Sequence, residues 1–131
     1  MKKKQQTYQK QIDVKPGELE IETPDVKFMK KVLTVIEKNI SNAGFSVELL
    51  SDEMNMSRVA LYKKIFNLSG KTPVEFIKSV RLKRAIQLLE TKQYTIAEIA
   101  YQVGYNDPRY FARAFKTEFK VLPSHYLDKQ E

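Results

Sequence analysis

The sequence predicts an all-α fold of about seven helices, and three observations carry that prediction. Apolar residues recur at three- and four-residue spacing along most of the chain, the runs open on Ser, Thr or Asp caps, and one block of sequence repeats about fifty residues later. With 131 residues, 42% of them hydrophobic and 30% charged, the chain can build one modest core or two very small ones. A catalytic barrel or a doubly wound sheet does not fit. Four Gly and five Pro are too few for a collagen-like or Gly/Pro-rich disordered chain.

The elements follow in order. Residues 1–24 read as a linker or tail: Met1 to Asp25 carry five Lys against five acids, scattered apolars and a Pro16-Gly17 turn signal. The start, Met1-Lys2-Lys3-Lys4, leads into Gln5-Gln6-Thr7 and not into an apolar signal region, so export is not expected. Thr23 caps a first helix with Pro24 at its first position; Met29, Val32, Leu33, Ile36 and Ile40 form its apolar stripe, and Asn42-Ala43-Gly44 stops it. Ser46 caps a second, short helix with Val47, Leu50 and Met54 inward, ended by a tight turn at Asn55-Met56. Ser57 caps a third, with Leu61, Ile65 and Leu68 inward and Gly70 as the stop. Thr72-Pro73-Val74-Glu75 is a capping box, and it opens a long helix to about Glu90 through Phe76, Ile77, Val80, Leu82, Ala85, Ile86 and Leu89. Thr95-Ile96-Ala97-Glu98 is a second capping box, starting a helix through Ile99 and Val103 that Gly104 ends. Asp107-Pro108 caps the next, with Phe111, Phe115 and Phe119 inward, and Pro123 begins a short last helix through Tyr126 and Leu127.

The repeat gives these helices a plan. Ser46 to Ser51 matches Thr95 to Ala100 at a shift of 49, and beyond the turn the shift becomes 50: Ser57 matches Asp107, Leu61 matches Phe111, Ile65 matches Phe115 and Pro73 matches Pro123. The extra residue falls in the turn, where an insertion disturbs packing least. Asn55 and Gly104 occupy the same place in the two turns, and these residue types enter the left-handed region most cheaply. Each copy is thus a short helix, a sharp turn and a second helix, the helix-turn-helix arrangement in which the second helix enters the major groove. The copies run about 46–68 and 95–119, joined by the helix of about 73–90. That helix is about 27 Å long, which sets the two recognition helices about one DNA turn apart.

Composition narrows the chemistry. Cys is absent and His125 stands alone, so disulfides, thiolate metal sites, Cys nucleophiles and His-based triads are excluded, and neither a cofactor nor catalysis is expected. Ser57, Glu98 and Asp107 each have a complete explanation as caps or cap partners. The net charge of +7 favours a polyanion. Ser57 to Lys120 hold 13 Lys and Arg against five acids, so the excess coincides with the two copies and the helix between them. No apolar run approaches the ~20 residues of a membrane span, and a membrane-surface role is disfavoured because the apolar stripes are needed for a core.

Together, Arg81-Leu82 with Ala85 and Leu88-Leu89, Ile96 with Ile99-Ala100, Gly104-Tyr105 with Asp107-Pro108, Tyr110-Phe111, Phe115-Lys116, and Pro123 with Tyr126 resemble the AraC/XylS-type DNA-binding domain over about residues 30–128. The segment Glu20 to Ser51, with Thr23-Pro24-Asp25, Phe28, Glu37-Lys38-Asn39-Ile40 and Phe45-Ser46-Val47, is most similar to the C-terminal output domain of hybrid two-component sensor-regulators. Two positions depart from the family pattern. Lys120 replaces the usual glycine after the second recognition helix, and Leu122 replaces the usual Ser or Thr cap, a loss of roughly 0.5–2 kcal/mol where a true cap is missing.

The resemblance implies double-stranded DNA as partner of residues 25–131, with receiver and sensor domains upstream in a parent chain. It further implies a homodimer on repeated half-sites, RNA polymerase as a further partner, and a cytoplasmic domain whose parent is membrane-anchored. If Leu61, Ile65 and Leu68 face inward, Arg58, Val59, Tyr62 and Lys63 face outward, and the family's base-reading positions fall on the last three. In the second copy the outward stripe is Pro108, Arg109, Ala112 and Arg113. Arg109 and Arg113 can each fork onto a guanine, Ala112 and Val59 can meet thymine methyls, and Tyr62 and Lys63 can donate to bases. Lys64, Lys116 and Lys120 suit phosphates. Arg81 is expected to pair with an acid such as Glu53 or Glu98 and fix the packing of the halves. The bland reading, that exposed Lys and Arg are solvated charge, stands for any one of them outside this frame. A rival of another class uses the same helices to dock an acidic protein.

Overall fold

The computed structural model describes residues 16–17 and 21–130, so most of the linker expected over residues 1–24 lies outside the described residues. Thr23, Ser46, Ser57, Thr72, Thr95 and Asp107 each hold extended backbone and accept a first-turn N–H. They open α1 (Pro24–Lys38), α2 (Val47–Met54), α3 (Arg58–Ser69), α4 (Pro73–Thr91), α5 (Ile96–Gln102) and α6 (Pro108–Phe119). At Thr72 both halves of the box form: its N–H donates to Glu75 Oε1 at 2.9 Å and its Oγ1 accepts from Glu75 N–H at 3.2 Å. A 3-10 turn over Pro123–His125 leads into α7 (Tyr126–Gln130), and Leu122 ahead of it supplies no side-chain cap. Among the described residues the regular structure is all helical, as predicted.

The duplication extends to individual backbone hydrogen bonds. Asn55 at φ 56° and Gly104 at φ 89° both turn left-handed. Met56 N–H donates to Ser51 O at 3.0 Å and Tyr105 N–H to Ala100 O at 2.9 Å; Asn55 N–H reaches Asp52 O and Gly104 N–H reaches Tyr101 O, both at 3.1 Å. All four bonds superimpose at the shift of 49, as expected of one turn built twice.

Two cores result. Val32, Val35, Ile36, Phe45, Leu50, Met54, Leu61, Ile65 and Ile77 form a mainly aliphatic cluster around the first copy. Leu82, Ala85, Leu89, Ile99, Ala100, Val103, Phe111 and Phe115 form a second. Helix α4 gives Ile77 to the first and Leu82, Ala85 and Leu89 to the second, so a single rigid element anchors both. The aromatics of the second cluster meet at their edges, with Phe115 T-shaped against Phe119 (centroids 4.7 Å apart) and Tyr126 (5.6 Å).

Three expectations on core residues change. In α1 the buried stripe is Val32, Val35 and Ile36, whereas Leu33 is 37% exposed and Ile40 lies past the helix end. Two overlapping stripes were available at helical spacing, and docking chose the one that Phe28 also reaches. Leu68 is 39% exposed although it shares the angular position of Leu61, because the last turn of α3 outruns the core.

Arg81 is the third correction. It is 9% exposed and meets neither Glu53 nor Glu98. Its Nη2 donates to Asn42 O at 2.8 Å and its Nη1 to Gly104 O at 3.2 Å, while Nε has no partner among the described residues. One buried guanidinium thereby ties the α1–α2 loop to the turn of the second copy. Burial without a carboxylate lowers its pKa, and burial raises that of the neighbouring Tyr105.

Candidate nucleic-acid interface

In α3, Leu61 and Ile65 are fully buried, and that fixes what faces outward. Val59 is 65% and Tyr62 47% exposed, with Arg58 and Lys63 exposed beside them. These four residues come together as one wall of a groove of about 710 Å³, closed on the other side by Thr72, Pro73 and Val74 at the start of α4. The Tyr62 ring lies stacked near Phe66, with centroids 6.0 Å apart and planes 12° from parallel. Lys64, expected to serve phosphates, turns away: its Nζ sits 4.7 Å from the centroid of Phe28 on α1.

In α6, buried Phe111 and Phe115 aim Arg109, Tyr110, Arg113 and Lys116 outward, with Ala112 half-buried. Arg113 sits over the Tyr110 ring, its Cζ 5.4 Å from the centroid. Arg109 is held by its own helix cap. Asp107 Oδ1 accepts from Arg109 N–H at 2.8 Å and from Nε at 3.2 Å, and Oδ2 accepts from Nη2 at 2.9 Å. Those hydrogen bonds hold the Asp107 carboxyl below its ordinary pKa and raise that of Arg109. Lys120, at φ 66° where glycine is usual, donates from Nζ to Thr117 O at 3.2 Å and so satisfies its own helix end.

The two outward faces are continuous. The α3 groove shares Val47 and Val74 with a second concavity over Ile77, Lys78, Arg81 and Tyr105. That one shares Lys78 and Ala114 with a third, lined by Tyr110, Arg113 and Thr117 of α6. One trough therefore runs from α3 across the first half of α4 to α6. Arg58, Lys63, Lys78, Arg81 and Arg113 line it, and among the described residues no acidic residue does. Of the other expected residues, Arg109, Ala112 and Lys116 lie on α6 outside the trough lining. Lys78 escaped sequence reasoning, although Val74, Lys78 and Arg81 at i, i+4 and i+7 share one face of α4 and could have signalled it.

Among the described residues no three His, Asp or Glu gather to hold a metal ion, and no helix is long and apolar enough to cross a membrane. Two capped helix pairs on one rigid helix, sharing an acid-free basic trough, define a double helix-turn-helix domain of the DNA-binding class. The helix-turn-helix domain family matches residues 50–129, and the chain belongs to that family in its AraC-type form.

Similarity to individual proteins agrees. The chain is 40% identical over 116 residues to "Histidine kinase P4" of Formosa agariphila, covering 88% of this chain and 8% of the kinase. It is 38% identical over 82 residues to the HTH-type transcriptional regulator AlkR of Acinetobacter baylyi, covering 63% of this chain and 27% of the regulator. Among solved structures it resembles the C-terminal domain of AraT, a response regulator from Geobacillus stearothermophilus, at TM-score 0.72 and 28% identity, covering 79% of this chain and 86% of that one. It also resembles the DNA-binding domain of AdpA, solved with a target DNA, at TM-score 0.68 and 26% identity over 75% and 87% of the two chains. The chain thus spans under a tenth of the kinase and about a quarter of AlkR.

Proposed function

We propose that residues 25–131 form the sequence-specific DNA-binding output domain of a transcription regulator, with residues 1–24 as the tail leading to it. Helices α3 and α6 would read two successive major-groove segments of one duplex. The observation that carries this reading is the trough free of acids among the described residues, onto which α3 and α6 both face with Lys78 between them. Base discrimination falls to Val59, Tyr62, Lys63, Arg109, Ala112 and Arg113, and backbone contacts to Arg58, Lys78 and Lys116. The domain performs no catalysis in this reading and works in the cytoplasm.

The similarity to a histidine kinase and to a response regulator supports a place in a hybrid two-component protein. Phosphorylated receiver domains upstream would pair two copies on repeated half-sites and so alter access of RNA polymerase to the promoter.

Titrating a labelled promoter fragment with wild type and with Arg109→Ala plus Arg113→Ala tests the reading. Each lost guanine fork removes about 1–3 kcal/mol of discrimination, and wild-type affinity falls steeply as salt rises. Equal affinity and equal sequence preference in the two proteins would overturn it. Sequence-blind binding beside a tight complex with an acidic protein would favour the protein-docking alternative.

A further inference from the structure

We propose that Asp107 is a positioning residue for base recognition: its carboxylate holds the side edge of the Arg109 guanidinium and presents the opposite edge to a guanine. This rests on the reading that Arg109 faces base edges. The geometry is specific. Asp107 takes Nε and Nη2, which form the side edge of the planar group. A guanidinium has five N–H donors, so two on Nη1 and one on Nη2 remain. One from each nitrogen points outward in parallel along the end edge, the fork that fits guanine O6 and N7.

Helix capping alone does not call for this arrangement. Capping needs one oxygen accepting one N–H, which Ser57 supplies at the matching position of α3 with Ala60 N–H at 3.1 Å. Asp107 caps α6 with Oδ1 and still commits both oxygens to the Arg109 side chain. Nor does fold stability call for it, because the Arg109 side chain is 84% exposed and such a pair adds little. A negative charge beside Arg109 and Arg113 repels phosphate and lowers sequence-blind affinity. Its return is a fixed rotamer: a free arginine must lose side-chain freedom on meeting a base, and Arg109 has lost part of it beforehand. The pairing is reachable only because Asp107 stands outside the helix with extended backbone at φ −135°, so that its side chain turns back over residue 109. Within a helix, residues two apart do not face each other.

The test binds the 131-residue protein to a pool of randomised duplexes and sequences the bound fraction for wild type, Arg109→Ala, Asp107→Ser, Asp107→Asn and the Asp107→Ser/Arg109→Ala double variant. Ser and Asn retain a capping oxygen, and unchanged far-ultraviolet circular dichroism establishes that α6 is intact. We expect one position at which the guanine preference of wild type is lost in Arg109→Ala. At that position Asp107→Ser lowers the preference about 3- to 10-fold and Asp107→Asn less, since Asn keeps one acceptor. Asp107→Ser also raises affinity for the unselected pool about 2- to 5-fold by removing a negative charge. In the double variant the guanine preference is no lower than in Arg109→Ala alone. If Arg109→Ala abolishes the preference while Asp107→Ser leaves or raises it, the positioning role is overturned and the pair is a cap or a restraint. If Arg109→Ala itself changes no preference, the underlying reading of Arg109 falls instead.

Discussion

The two helix-turn-helix copies share a backbone down to single hydrogen bonds, yet they are finished differently at the turn. In the first copy Asn55 is exposed and turns left-handed in open solvent. In the second, Gly104 is buried, and a Cβ there would stand 2.4 Å from Ile40 O and 2.8 Å from Arg81 Cζ. One position in the repeat thus obeys two constraints. The first copy needs only a residue that tolerates positive φ, whereas the second also needs the absence of a side chain, because its turn is where the halves of the molecule meet. The recognition helices diverge in the same way. α3 places Val59 and Tyr62 outward and is capped by a neutral Ser57, while α6 places Arg109 and Arg113 outward and is capped by Asp107, which engages Arg109.

The sharpest way to break this comparison is to make the turns alike. Gly104→Ala should destabilise the domain by about 2–4 kcal/mol, adding backbone strain to a clash with atoms that cannot withdraw. Asn55→Ala should cost only about 1 kcal/mol, the left-handed penalty alone. Urea titrations of both variants would measure the gap, and equal losses would mean that the second turn is not a docking point. Next in size is Arg81→Met, expected to cost about 2–3 kcal/mol by leaving Asn42 O and Gly104 O without their donor. It should also let the two cores unfold at different urea concentrations. The tyrosine band of near-ultraviolet circular dichroism weights the second core, against which Tyr105 and Tyr126 pack, and far-ultraviolet follows the whole, so coincident transitions in the variant would contradict the tie. The smallest effects test the close of the second copy, where Gly70 and the Thr72 box of the first are replaced by Lys120 and Leu122. Lys120→Gly and Leu122→Thr should each stabilise by about 0.5–1.5 kcal/mol in thermal melts. A loss in either would mean that the present residues make contacts outweighing their local cost.

Much of the site was legible because caps and buried stripes are local. Ser57 and Asp107 mark where α3 and α6 begin, and Leu61 with Ile65, or Phe111 with Phe115, fixes which side faces outward. The spacing of Val74, Lys78 and Arg81 placed Lys78 on one face of α4, but that this face meets α6 depends on α6 folding back beside the first half of α4. The Asp107–Arg109 pair was hidden for another reason. Helical spacing rules describe residues inside a helix, and a cap residue lies outside them.

The sequence by itself determined the all-helical class, the six capped helix starts and the duplicated turn, because an N-cap, a helix stop and an apolar period act over three or four residues. Tertiary structure decided which stripe of α1 is buried, what Arg81 binds and whether the two recognition faces share one surface. Those outcomes join residues far apart in the chain, as Arg81 joins Asn42 and Gly104 across 39 and 23 residues. A basic residue among acids and carbonyls at such separations takes the partner that burial brings to it. Here the interior offered two backbone oxygens and no carboxylate.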